Sequence, residues 1–168
     1  VAAFLAKEAI LETLKSSYRS VASLLIDAIK LANEKIYREK SSNNKNHSMA
    51  CVLTLALVDI DNNEFHYAHV GDTRLYLFRD HSLVKVTKDH SFVGFLEDSG
   101  RLTEEDAMKH PKRNEINKAL GFDAVLDTQK DYIETGSSPF LPGDLLLICS
   151  DGLSDMVDKK TISTILVT

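Results

Sequence analysis

The chain has 168 residues, 43% of them hydrophobic and 27% charged, which fits one soluble globular domain with a real core. The formal net charge of −5 argues against a nucleic-acid or anionic-membrane partner, whose phosphates attract Lys and Arg. No stretch approaches the ~20 apolar residues that cross a bilayer, and no signal-peptide pattern opens the chain. Two cysteines, Cys51 and Cys149, stand in apolar runs without ligand spacing. They are read as buried reduced thiols, which points to a cytoplasmic location rather than a disulfide framework or a zinc site.

In chain order, residues 2–16 place Phe4, Leu5, Ala9, Leu11 and Leu14 on one helical face. Residues 17–39 continue the period through Leu24, Leu25, Ala28, Ala32 and Ile36, so two helices, or one broken near Ser16–Ser17, open the chain. The polar segment 41–46 ends them. Cys51 to Ile60 is a continuous apolar run, read as a buried strand. Further strands are expected at 65–70, 75–79 and 83–87, with a tight turn at Arg79-Asp80-His81-Ser82. Short connections between them predict an antiparallel meander.

Residues 91–121 return to helical spacing, with Thr103 as an N-cap before Glu104-Glu105-Asp106 and a stop at His110-Pro111. A strand at 129–135, a turn at Leu141-Pro142-Gly143-Asp144, a buried strand at 145–149 and a helix from Leu153 complete the reading. The segregation of helices from antiparallel strands predicts an α+β fold, a layered α/β/β/α sandwich, in one domain spanning 1–168. Val1 in place of Met, and an apolar stretch to Val167 without a cap, are read as a piece cut at both ends.

Two turns combine Asp with Gly where apolar periodicity stops: Gly71-Asp72-Thr73-Arg74 and Ser150-Asp151-Gly152-Leu153-Ser154-Asp155. Carboxylates at strand ends suit hard cations such as Mg²⁺ or Mn²⁺. Each motif alone is also ordinary turn chemistry. Together with Thr87-Lys88-Asp89-His90-Ser91, His110-Pro111-Lys112-Arg113-Asn114, Ala119-Leu120-Gly121 and Pro142-Gly143-Asp144, in this order and spacing, the chain resembles the metal-dependent protein phosphatases of type 2C in their bacterial form.

The resemblance implies a β-sandwich flanked by helices, with two bridged Mg²⁺ or Mn²⁺ ions at one end and a water that attacks phosphorus in line. It implies phosphoserine or phosphothreonine proteins as substrates, and a signalling role. Asp151 matches a ligand of the paired ions, Asp72 an Asp that holds a third, weaker ion together with Asp151, and Asp155 a further acid near that ion. Residues 92–113 correspond to a flap beside the cleft. His90 and His110, in family motifs, are read as structural, and Arg74 as half of an ion pair.

The chain also departs from the pattern. The Asp that precedes the first helix, an Asp-Gly motif near the N-terminus, an Arg that binds substrate phosphate and a C-terminal Asp-Asn motif are all missing. Met49-Ala50-Cys51-Val52 stands where a Gly-Thr-Thr-like start belongs. The expectation is a phosphatase fragment that is inactive alone, with a homodimer formed through an exposed sheet edge. The alternative is a catalytically dead phosphatase-like binding or regulatory module. A merely structural sandwich would require that Asp72 and Asp151 do not converge.

Overall fold

The computed structural model describes residues 1–17, 19–127 and 131–167. They fall into two compact units, one of residues 1–70 and 118–139, the other of residues 71–117 and 140–168.

The first unit opens with α1 (Ala2–Thr13) and α2 (Val21–Ser42), which pack on each other. Helix α2 starts in a reciprocal cap: the Ser20 hydroxyl accepts the Ser23 N–H, and the Ser23 hydroxyl accepts the Ser20 N–H. Its buried residues Leu24, Leu25, Ala28, Ile29, Ala32 and Ile36 follow helical spacing. The inner face of α1 differs from the expected one. It consists of Ala2, Ala6, Ala9 and Thr13, while Phe4, Leu11 and Leu14 are exposed. Small residues bring two helices close, so the alanines form this contact, with Leu5 half-buried against the same core.

The sheet of this unit has the order β1-β2-β5, with β1 at Leu53–Asp59, β2 at Glu64–Val70 and β5 at Glu134–Pro139, all antiparallel. Ala68 and Val70 of β2 are buried in the core with Leu25, Ile29 and Ile36 of α2, and Phe65 is buried on the opposite face of the strand. Asn33 is buried in the same core yet satisfied: its amide donates to the Asp123 carbonyl at 3.0 Å, and its oxygen accepts the Gly121 N–H at 2.8 Å. Cys51 pairs as an isolated bridge with Leu120 ahead of β1. The expected strand at 129–135 lies partly outside the described residues; β5 begins at Glu134.

The second unit holds a sheet of order β4-β3-β6: β3 at Arg74–Arg79, β4 at Ser82–Lys85 and β6 at Leu145–Cys149. Arg79 pairs with Ser82 across a two-residue loop whose residues, Asp80 and His81, both have positive φ, the geometry of a type I′ hairpin. Helices α3 (Phe92–Asp98), α4 (Glu104–Lys109), α5 (Asp151–Ser154) and α6 (Lys159–Leu166) complete the unit. Thr103 caps α4 by accepting the Asp106 N–H, as its position before three acids predicts.

Helices and antiparallel sheets bear out the α+β class. Three details differ from the reading of the sequence. The meander is interrupted: β2 and β3, only three residues apart, belong to different sheets. The strands expected to be buried, β1 and β6, are edge strands and largely half-exposed. Their apolar residues on both faces imitate a central strand. For the same reason Cys51 and Cys149 are half-buried rather than buried; both are free thiols, and burial raises their pKa.

Candidate metal-binding active site

All three sequence candidates lie in the second unit. Asp72 sits in the turn that leads into β3. Gly71 just before it takes φ of 115°, a region closed to most side chains. His90 holds that turn twice. Its N–H donates to the Gly71 carbonyl at 2.7 Å, and its Nδ1 accepts the Gly71 N–H at 3.1 Å. The structural role expected for His90 is thus a clasp on the turn that carries Asp72. Asp151 follows β6 after one residue, Ser150, at the first position of α5, and Asp155 caps that helix with its N–H on the Asp151 carbonyl at 2.8 Å.

Asp72, Asp151 and Asp155 line one pocket. The two acidic turns, about 80 residues apart in sequence, therefore converge, which removes the reading of a merely structural sandwich. The pocket carries six carboxylates, the other three from Asp89, Glu97 and Glu104, against two guanidinium groups, Arg74 and Arg113. Such a balance suits a cation. Asp72 registers it directly: burial, then the like charge of Asp151, pushes its carboxyl above the usual range. A hard cation relieves both causes, and carboxylate oxygens are its preferred donors. The three candidate residues thus offer donors of the type that Mg²⁺ or Mn²⁺ prefers. Among the described residues, they do not form a set with oxygens all within 4.8 Å of one another.

Two arginines frame the pocket in different ways. Arg74 is buried and donates through Nε and Nη2 to Asp89 Oδ2 at 2.9 and 2.7 Å, and through Nη2 to Glu97 Oε2 at 2.7 Å. Burial works against its charge, but Asp89 and Glu97 outweigh that and hold the guanidinium protonated. Lys85 extends the network to Asp89 at 3.1 Å and Asp98 at 2.6 Å. The ion pair expected of Arg74 is thus one bond of a cluster that ties α3 to β3 and β4. Tyr76, whose hydroxyl faces Arg74 at 3.3 Å, has its phenol pushed up to about 12 by burial. Arg113 stands at the lip, more exposed, with Nε on Asp155 Oδ2 at 3.1 Å.

The sequence reading assigned no role to Glu97, Glu104 or Met108, which line the same pocket. On short helices amid other charges they carry no distinguishing pattern. Asp89 stood in a quoted motif, without a function attached.

A pair of Asp turns at strand ends, converging on one acidic pocket, is an arrangement that suits a divalent cation. The family profile of protein phosphatase 2C matches residues 1–167, and the chain belongs to that family. It is 38% identical over 113 residues to the serine/threonine phosphatase stp of Listeria monocytogenes, a match covering 67% of this chain and 43% of that protein. It is 41% identical over 109 residues to the serine/threonine protein phosphatase PstP of Mycobacterium tuberculosis, covering 65% of this chain and 20% of that one. The crystal structure of the M. tuberculosis phosphatase PstP/Ppp superposes with a TM-score of 0.81 at 32% identity, over 97% of this chain and 66% of that chain. A structure of the PstP catalytic domain in complex with two manganese ions gives 0.81 at 30% identity, over 99% of this chain and 67% of that chain. The match to the Listeria protein thus spans less than half of that relative's length.

Proposed function

We propose that this chain is part of the single catalytic domain of a metal-dependent serine/threonine phosphoprotein phosphatase, acting in the cytoplasm on phosphoserine and phosphothreonine proteins. The observation that carries the reading is the convergence of Asp72, Asp151 and Asp155 on one acidic pocket in a chain of this family. The three carboxylates would hold Mg²⁺ or Mn²⁺. When bound, such ions neutralise phosphate oxygens and acidify a water for attack on phosphorus. The chain's own groups do the positioning. His90 and Gly71 fix the Asp72 turn, and β6 delivers Asp151 to the same pocket. The Arg74–Asp89–Glu97 cluster seats α3 at its edge, within the flap of residues 92–113. Cys51 and Cys149, half-buried with raised pKa, are not suited to act as nucleophiles, which argues against a phosphocysteine intermediate and agrees with attack by water.

Only Asp151 matches a ligand of the paired ions, and one carboxylate does not hold a dinuclear cluster. This chain by itself therefore binds a cation weakly and turns over little phosphopeptide. Calorimetric titration of Mn²⁺ into the chain and into Asp151→Ala tests this. Weak binding that disappears in the variant is expected; equal binding in both would overturn the assignment of Asp151. Steady turnover of a phosphopeptide would overturn the inactivity of the chain. Homodimerisation through a sheet edge belongs to the same proposal, supported by the apolar edge strands β1 and β6.

A further inference from the structure

A second concavity adjoins the acidic pocket on the same unit, and Glu104, Met108 and Asp155 line both. Its walls are α4 on one side and the segment from Asp155 through the first turn of α6 on the other. Two chemistries meet there. Met108 and Met156 supply apolar lining, and Met156 is 76% exposed, a large soft side chain that its neighbours leave uncovered. Glu104, Glu105, Asp155 and Asp158 place four carboxylates around it, against the single ammonium of Lys109.

The bonds of these acids leave the excess negative. Lys109 takes Glu105 at 2.5 Å, and Arg113 takes Asp155 at 3.1 Å. Glu104 accepts the Lys159 N–H at 3.0 Å, and Asp158 accepts the Thr161 N–H at 2.6 Å and the Thr161 hydroxyl, with the Lys160 charge nearby. Such bonds orient a carboxylate without cancelling its charge. The bond from the Lys159 N–H to the Glu104 carboxylate also joins the two walls.

Resting on the phosphatase reading above, we propose that this groove binds the substrate chain next to its phosphoresidue, and that it selects a flank carrying Lys or Arg together with an apolar side chain. Continuity with the pocket sets where the flank lies: a peptide whose phosphate reaches Asp72 and Asp151 passes Asp155 and Met108 on its way out. Charge complementarity sets the sign of the flank, since exposed carboxylates attract cationic partners and repel acidic ones. The methionines set its second feature, because thioether side chains adapt to varied apolar shapes and to the aliphatic stems of Lys and Arg.

The test measures fluorescence anisotropy of two labelled peptides in Mn²⁺, each carrying a non-hydrolysable phosphonate analogue of phosphothreonine so that no turnover intervenes. One carries Arg-Lys-Leu beside the phosphoresidue, the other Glu-Glu-Leu. The basic peptide is expected to bind about tenfold more tightly at low salt, with the gap closing as salt screens exposed charges. The double variant Glu105→Gln with Asp158→Asn removes two charges while Asn keeps the α6 cap, and should reduce the preference about threefold or more. Met156→Ser should weaken both peptides equally, because it removes apolar contact and no charge. Equal binding of the two peptides, or a preference that the double variant leaves intact, overturns the groove. The Mn²⁺ titration is the independent arm. Manganese bound at Asp151 without peptide discrimination sinks the groove alone. Discrimination without any manganese binding sinks the phosphatase reading and leaves the groove standing.

Discussion

Asp72 is placed where its charge is least welcome. Desolvation and the facing Asp151 raise its pKa, so in the absence of a cation its ionised form costs stability. A group with a raised folded pKa contributes most below its unfolded value and loses that contribution as pH rises through the folded one. At neutral pH Asp72 is therefore a net liability that a bound cation converts into a gain. Asp72→Asn should raise the melting temperature of the metal-free chain by on the order of 2 °C. The same change should abolish most of the further rise that millimolar Mn²⁺ gives the unaltered chain. Differential scanning fluorimetry with and without Mn²⁺ reads both effects; a variant that melts lower and still responds to manganese would refute the role of Asp72.

Asp144 shows the opposite sign. Arg79 donates to it through Nε at 2.9 Å and Nη2 at 2.6 Å, and the Leu141 N–H adds a third bond at 2.6 Å. These bonds, led by the one from Arg79, lower its pKa. Its contribution is thus complete above the unfolded carboxylate value near 3.9 and fades as pH falls through the lower folded one. Asp144→Asn should lower the urea midpoint clearly at pH 7, and the difference from the unaltered chain should be smaller at pH 3. A midpoint gap that is the same at both pH values would show that the bonds to Asp144 do not depend on its charge.

At the scale of elements, α3 is seated by contact as much as by charge. Gly94, in its first turn, is where helix propensity alone would favour Ala by about 1 kcal/mol. A Cβ there would lie 2.3 Å from Asp89 Cβ and 2.8 Å from Ser91 Oγ. Ser91 is the N-cap of α3, and Asp89 is the partner of Arg74, so neither can withdraw without breaking a bond. Overpacking of that kind costs ~1–3 kcal/mol and outweighs the propensity gain. Gly94→Ala is therefore expected to destabilise by about 1 kcal/mol net, measured by urea denaturation; stabilisation would mean that α3 is free to shift.

The same elements show what the sequence could and could not disclose. The Asp80–His81 hairpin and the Thr103 cap were legible because their chemistry is local. The partition of strands was not. The short link Gly71–Thr73 reads as a hairpin, and nothing near it reveals that β2 pairs instead with Glu134–Pro139 and β3 with Leu145–Cys149. The Asp72 and Asp151 turns could be singled out as candidates through the order of the family motifs. Glu104 and Glu97 could not, since only folding brings α3 and α4 to that pocket.

On the scale of the whole molecule, the open question is what the edge strands meet in solution. Strand β6 ends the order β4-β3-β6, and its Leu145 and Ile148 are 46% and 47% exposed. An edge strand with unpaired backbone groups and large apolar side chains is a template for a second strand, and charges on such edges normally prevent this. Residues 145–149 hold no charge at all, whereas β4 ends on Lys85. Two copies meeting through β6 would form a closed pair around a twofold axis, each edge satisfying the other. Sedimentation velocity should then show association at micromolar concentration. Ile148→Lys should raise the dimer dissociation constant at least about tenfold, because it puts a charge on the strand that must pair. A control in β4, Val84→Lys, replaces another exposed apolar residue, at 55%, on the opposite edge and should leave the association unchanged. If both variants weaken it equally, general stickiness rather than β6 pairing drives the contact. If the unaltered chain runs as a monomer throughout, the β6 edge is not a self-association site.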